Sequence, residues 1–234
     1  MRHHPANEIE IKLAVADAGA MRRRLRELGA RAGRAVHEAN LLFDTPDGSL
    51  RSREVLLRVR VERPARRSTP SSTREERVAA LEEWMFPARG SQRAIITFKG
   101  PPLGGNAAQL TGKQPDSPGA SGYKIRREVE FEVSDSVRFR DLLAALGYRS
   151  AFYYEKLRTT YRLRRIRDLV ISLDETPAGN YLELEGPIRA IDRGRAALGY
   201  KPEDAILLSY GALFAAHRRA AGLSMTDMLF AKRL

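Results

Sequence analysis

The sequence predicts an α+β fold: a closed β-barrel of about eight strands, charged inside, with helices packed on the outside. Three observations carry this expectation. The run Glu8-Ile9-Glu10-Ile11-Lys12 alternates strictly, so a strand there puts its charges on one face and both isoleucines on the other. The alternation returns along the chain, where Arg58 with Arg60, Lys124 with Arg126, Glu128 with Glu130, Lys156 with Arg158, and Glu183 with Glu185 each share a face, as does Lys99 on its own strand. The opposite faces are almost uniformly apolar and require a covering layer, which leaves the charged faces to line a closed bore.

Taken in order, the first strand is expected at 7–14. Asp17 then caps a helix that runs to Leu28 and stops at Gly29. Strands follow at 36–44, 54–63, 93–99 and 123–133, after which Ser134 or Asp135 caps a second helix that runs to Leu146 and stops at Gly147. Strands at 151–164, 168–175 and 180–186 complete the eight. Each half thus reads strand, helix, three strands, a pattern that suggests internal duplication. Residues 64–92 and 100–122 break the alternation with Gly, Pro and Ser and are expected as long loop insertions, either surface segments or a substrate lid, with a short helix from Glu75 to Met85 carrying Trp84. The C-terminal region 188–234 is expected to be helical, in stretches at 188–197 and 202–221. Ile206, Leu207, Tyr210, Leu213 and Phe214 fall at helical spacing there and would cover the outside of the sheet.

At 234 residues and 43% hydrophobic, the chain suits one domain spanning 1–234 with a substantial core. A formal net charge of +12 and a pI near 10.3 imply attraction for polyanions. The absence of cysteine excludes disulfides, thiol catalysis and thiolate metal sites. No apolar run is long enough to span a bilayer, and Met1-Arg2-His3-His4-Pro5 lacks an apolar signal region, so a cytoplasmic protein without membrane association is expected, as monomer or homodimer. Gly112-Lys113-Gln114 is not a P-loop, and His3, His4, His37 and His217 are too scattered for a nucleophile triad. The arginine runs Arg22-Arg23-Arg24 and His217-Arg218-Arg219 read as solvated helix faces.

Parity also sends Asp44, Glu62 and Asp174 inward and Arg127 outward. Clustered arginines and lysines offer forked and point-charge donors to phosphate oxygens. Clustered glutamates offer hard oxygens suited to Mg²⁺ or Mn²⁺. Both in one bore describe a site for a polyphosphate with bound divalent metal. The structural alternative is an internal salt-bridge lattice, which must overcome a desolvation penalty of several kcal/mol per ion.

The ordered set of motifs resembles a known family. Glu8-x-Glu10-x-Lys12, the stretch from His37 to Pro46, Leu57-Arg58-Val59-Arg60, Thr97-Phe98-Lys99-Gly100, Arg126-x-Glu128-x-Glu130, Lys156-x-Arg158, Asp174 and Glu183-Leu184-Glu185 are together similar to the CYTH superfamily. These triphosphate tunnel metalloenzymes include class IV adenylyl cyclases, thiamine triphosphatases and inorganic triphosphatases. The similarity covers about residues 7–214 and implies an eight-stranded antiparallel tunnel and a metal-dependent enzyme acting on a small-molecule triphosphate. Carried over, Glu8, Glu10, Glu183 and Glu185 would hold Mg²⁺ or Mn²⁺, with Glu128, Glu130 and Asp174 nearby. Lys12, Arg58, Arg60, Lys99, Arg126, Lys156 and Arg158 would bind the triphosphate, and Lys12, Glu10 and Glu185 form the expected catalytic set. Gly179-Asn180-Tyr181 stands where the family pattern reads Gly-x-Phe and keeps an aromatic. Hydrolysis leads the expectations. Conversion of ATP to cyclic AMP and pyrophosphate is the alternative, and a polyphosphate or nucleic-acid binding module is the non-enzymatic one. Nucleic acid is not expected as a partner, because a pure polyanion binder gains nothing from carboxylates beside phosphates.

Overall fold

The computed structural model describes residues 7–65, 73–103, 122–222 and 226–230. Alternation produces strands where it was expected, with small shifts at their ends. They are β1 Glu8–Val15, β3 Val36–Asp44, β4 Leu56–Pro64, β5 Ala94–Lys99, β8 Arg149–Leu163, β9 Ile166–Thr176 and β10 Gly179–Glu185. The expected strand at 123–133 is instead two, β6 Lys124–Arg126 and β7 Glu128–Val133, and a short strand not foreseen, β2 Ala30–Ala32, pairs with β8. Hydrogen-bonded neighbours run β6-β1-β10-β9-β8-β3-β4-β5-β7, all antiparallel.

The two ends of that order, β6 and β7, are consecutive in the chain and separated by Arg127. β6 pairs with β1 and β7 with β5, so the sheet nearly closes and leaves one unsealed seam where a continuous eighth strand was expected. Arg127 is exposed, as parity required, and its carbonyl accepts from Gly100 N–H at 2.9 Å instead of joining a ladder. Past β6, the edge of β1 is taken by Ile206, which exchanges two backbone hydrogen bonds with Lys12.

That bridge explains a correction at the C-terminal end. The stretch 202–221 is not one helix, because Ile206 is spent as an extended edge partner between a 3₁₀ turn, Pro202–Asp204, and the last helix, Tyr210–Ala220, which is capped by the Ser209 hydroxyl. Helix does not continue through 188–234 either. Met228 lies extended against Tyr153 and Glu155 of β8, and residues 223–225 and 231–234 lie outside the described residues.

The remaining helices begin where capping chemistry sits. Asp17 caps α1 Ala18–Glu27 by accepting from Gly19 and Ala20 N–H, and Asp135 caps α4 Ser136–Ala145 by accepting from Arg138 N–H. Gly29 and Gly147 end these helices at φ 76° and 88°, the left-handed region a glycine enters without strain. The short α2 Ser49–Ser52 follows β3. α3 Arg74–Met85 carries Trp84 as expected and starts with a capping box between Thr73 and Glu76. It packs on the outer surface of the barrel, with the Trp84 ring 5.0 Å from that of His37 and Glu82 accepting from the Tyr153 hydroxyl, which is a packing role for this part of the first insertion. Residues 66–72 and 104–121 of the insertions lie outside the described residues.

Most of the core lies outside the bore, in two clusters, and a third, smaller one joins Tyr154, Tyr181, Tyr210, Phe214 and Met228. Ile11, Leu13, Ile171, Leu182 and Leu184 pack beneath α1 and α5 Ile188–Leu198, where a Cβ on Gly194 would lie 2.3 Å from the Leu169 side chain, so only glycine permits that approach. Leu41, Val59, Val61 and Ile96 pack beneath α3 and α4. The expected covering layer is incomplete over β5 and β7, since Phe98, Val129 and Phe131 remain 39–48% exposed.

Candidate active site in the tunnel

The inward faces enclose a cavity of about 450 Å³. Of the residues singled out from sequence, Glu8, Glu10, Lys12, Arg58, Arg60, Lys99, Lys124, Arg126, Glu128, Glu130, Lys156, Arg158, Glu183 and Glu185 line it, brought from seven strands by alternation alone. Three residues expected inward do not. Asp44 follows a register shift at Leu42/Phe43, and its carboxylate accepts from the N–H groups of Thr45, Leu50 and Arg51, which ties the chain entering α2. Glu62 is exposed and pairs with Arg60 at 3.2 Å. Asp174 does point inward but is completely buried, covered by Lys156, Arg158 and Tyr210, which line the cavity in its place.

Cross-strand register decides which charges meet. Lys12 stands opposite Glu183 and Glu10 opposite Glu185 in the β1–β10 ladder. The Lys12 ammonium is 3.2 Å from Glu183, which also accepts from Arg158. Asp174 accepts from Lys156 at 3.0 Å, from Arg158 Nε at 2.7 Å and from the Tyr210 hydroxyl at 2.6 Å. Glu38, 1% exposed, lies 3.3 Å from Lys156, 3.6 Å from Arg158 and 3.8 Å from Arg60. This section is a salt-bridge lattice in which every carboxylate has cations beside it, although among the described residues Glu38 Oε2 and the Arg60 Nε–H have no hydrogen-bond partner. Burial alone would raise the Glu38 carboxyl, yet the Lys156, Arg158, Arg60 and Arg58 cations bring it down to about 2. Burial acts the same way on Glu183, and Arg158 with Lys12 and Lys156 overrides it to hold that carboxyl well below the usual range.

A measurable consequence follows for Glu38. Because its folded pKa lies below the unfolded carboxylate value, the stability it contributes is fully present above about pH 4.5 and is lost as pH falls toward 2. Urea midpoints measured across that window should fall steeply for the parent and less steeply for Glu38→Gln. Parallel slopes in the two proteins would remove Glu38 from this role.

The section around β1, β5, β6 and β7 is different, because pairing there is uneven: Lys99 pairs with both Glu8 and Glu128, and Lys124 with Glu10. Burial pushes the Glu8 carboxyl up to about 8, with Glu10 and Glu128 adding to the shift and the Lys99 ammonium, 2.5 Å away, only partly opposing it. Glu185 is also raised, by burial and by Glu128, Glu10 and Glu183, and among the described residues no cation pairs with it within 4 Å. The cations beside them are under-compensated too. Burial lowers Lys124, whose nearest carboxylate is Glu10 at 3.5 Å, and burial lowers Arg126. Arg126 donates to the Glu54 carbonyl, and Arg58 to Tyr154 and Thr97, but among the described residues the buried Nε–H groups of both arginines have no hydrogen-bond partner.

The carboxylates Glu8, Glu10, Glu128 and Glu185 fit a divalent cation by their chemistry, since they are hard oxygens of the kind Mg²⁺ or Mn²⁺ takes; burial and Glu183 act to raise Glu10, but Lys99, Lys12 and Lys124 outweigh them and lower it. Among the described residues, no three such side chains are gathered closely enough to hold an ion as they stand, so they are a donor set on one wall and not a formed coordination sphere.

Sequence reasoning missed several residues of the site. Glu38 shares the parity of Asn40 and Leu42, so the pattern that sent Asp44 inward was the signal for it. Tyr210, expected on the outside of the sheet, reaches Asp174 and lies with its ring 4.5 Å below the Lys12 ammonium. Leu42, Leu56 and Phe152 add an apolar patch to the lining, and their parity was legible although their type drew no attention. His37 is buried on the outer face, where its ring pairs with Glu155 at 2.9 Å, a packing role.

An antiparallel barrel with helices outside and an interior of paired lysines, arginines and glutamates defines a charged-tunnel protein. The chain belongs to the CYTH domain family, whose sequence profile matches residues 6–198. No curated protein sequence matches it significantly. Among solved structures it is similar to a protein of Pyrococcus horikoshii, at 19% identity and a TM-score of 0.62, covering 90% of this chain and 99% of that one. It is also similar to a putative adenylate cyclase from Vibrio parahaemolyticus, at 14% identity and a TM-score of 0.60, covering 91% of this chain and 99% of that one. A third is a putative adenylyl cyclase from Hippeastrum, described as having a dominant triphosphatase activity, at 16% identity and a TM-score of 0.51, covering 93% of this chain and 97% of that one. Among the described residues, no helix is long and apolar enough to cross a membrane.

Proposed function

We propose that this protein is a metal-dependent enzyme that binds a triphosphate in the tunnel and hydrolyses it, within one domain spanning the chain. The observation that carries this reading is the coexistence, in one buried section, of under-compensated carboxylates at Glu8 and Glu185 and under-compensated cations at Lys124 and Arg126. A triphosphate with a divalent cation relieves both imbalances at once. Either ligand alone relieves one.

In this reading Arg58 and Arg126 turn their unpartnered Nε–H groups to phosphate oxygens, and Lys12, Lys99 and Lys124 neutralise charge along the chain. Burial lowers the proton affinity of Lys12, but Glu183 and Glu10 outweigh it and raise it, so Lys12 stays protonated and acts as an electrostatic stabiliser, not as a base. Glu8, Glu10 and Glu185, with Glu128, would hold Mg²⁺ or Mn²⁺, which supplies charge stabilisation and polarisation of water when bound. Glu183, Glu130 and Asp174 hold the cationic wall in position. The apolar patch of Leu42, Leu56 and Phe152 favours an organic triphosphate over the inorganic one. The same patch supports a second reading, in which it receives the adenine of ATP and the ribose hydroxyl attacks in place of water.

Incubating the purified protein with ATP, thiamine triphosphate and inorganic triphosphate, each with Mg²⁺ or Mn²⁺, tests both readings. Phosphate release from at least one substrate, abolished by chelator, is expected. Cyclic AMP as the main product would replace hydrolysis with the second reading, and full turnover in excess chelator would remove the metal. Arg126→Ala should weaken triphosphate binding more than monophosphate binding, by about tenfold or more if one charged hydrogen bond of about 1.5–3 kcal/mol is lost. Equal losses for both ligands in calorimetric titrations would place Arg126 outside the part of the tunnel that reads chain length.

A further inference from the structure

A second cavity, of about 610 Å³, lies on the outside of the barrel between the end of α1, the β8–β9 turn and the end of α5. Its floor is apolar, made by Leu28, Leu163, Ile166 and Ala196, and its rim carries Arg164, Arg165 and Arg193. The rim is anchored. Arg193 donates to the carbonyl of Arg165 at 3.1 Å, and Arg24 donates to that of Ala197 at 3.0 Å.

The rim's charge is not paired within the fold. Leu163 pairs with Ile166, so Arg164-Arg165 makes a two-residue hairpin turn that holds both exposed side chains at the mouth of the groove. Among the described residues, no carboxylate lies within 4 Å of Arg164, Arg165 or Arg193.

We propose that this groove and its arginine rim bind a single-stranded nucleic acid, with phosphates on the guanidinium groups and a base over the apolar floor. The arginine fork matches phosphate geometry, and the net charge of +12 draws a polyanion toward it. The groove is concave, which a flat bilayer cannot enter. Its floor is apolar, which an inorganic polyphosphate would leave unused. The glutamates that disfavour nucleic acid in the tunnel have one counterpart here, Glu27, which already pairs with Arg24 at 3.9 Å. The proposal does not depend on the reaction in the tunnel.

The test is fluorescence anisotropy of a labelled uridine oligonucleotide with a 5′-hydroxyl end, titrated with the full-length protein across a salt series. The charge reversal R164E/R165E/R193E should weaken binding by about tenfold or more and lower the log-log salt slope by about 0.7 per phosphate contact removed. Arg58→Ala should keep the parent affinity, and inorganic triphosphate with Mg²⁺ should not displace the oligonucleotide. R164A/R165A, which removes charge without reversing it, should weaken binding in the same direction and guards against a misfolded reversal variant. Equal affinity of the parent and both rim variants would overturn the proposal. So would displacement by triphosphate, or binding of anionic lipid vesicles without binding of the oligonucleotide.

Discussion

Glu185→Gln is expected to lower turnover by about 10²-fold or more while leaving the fold at least as stable as before. The two halves of this expectation come from the same geometry. Glu185 faces Glu10 across the β1–β10 ladder and lines the cavity with Glu8 and Glu128, so its carboxylate belongs to the proposed cation-holding wall. Among the described residues it also lacks an ion-pair partner, and it is raised by burial and by its acidic neighbours, so its charge is a burden on the folded state. Glutamine keeps the shape and removes that charge. Turnover measured with saturating metal, beside a thermal melt, separates the effects. Unimpaired turnover would exclude Glu185 from the site, and a collapsed melting temperature would show that its charge supports the fold instead.

Asp174→Ala should do the reverse, destabilising the protein by about 3–5 kcal/mol, because breaking a buried ion pair leaves its partners charged and uncompensated. Those partners are Lys156 and Arg158, with Tyr210 losing its acceptor as well. For a chain of this length the melting temperature should fall by roughly 10 °C. Asp174→Asn, which keeps an acceptor oxygen, should lose less. Unchanged urea midpoints in both variants would mean that the lattice does not depend on Asp174, and that its role lies with the ligand.

The two variants mark a division of the bore that resemblance and parity did not draw. The expectation placed Glu183 and Asp174 with the metal-holding carboxylates; in the structure Glu183 pairs with Lys12 and Arg158, and Asp174 with Lys156 and Arg158. The lattice and a ligand-binding section were weighed as alternatives from sequence; the lattice is present around Glu38 and Asp174, and the rest of the bore is the section proposed to take the ligand. Pairing across strands distinguishes them, and it depends on which strands are neighbours.

What the sequence by itself determined is the side of the sheet to which each residue points. A period of two is a property of the extended chain, so Glu8, Glu10, Lys12, Glu183 and Glu185 had to share a face with one another and oppose their apolar neighbours, whatever their partners. The helix starts at Asp17 and Asp135 were legible for the same reason, since capping is local. Tertiary structure alone decided the seam at Arg127, the bridge from Lys12 to Ile206 that ends the expected long helix, and the entry of Tyr210 to meet Asp174. Each of these joins residues far apart in the chain, and no local period encodes a long-range pairing. The balance of charge in the bore is of the same kind, because a carboxylate's compensation depends on the cations that register and closure bring beside it.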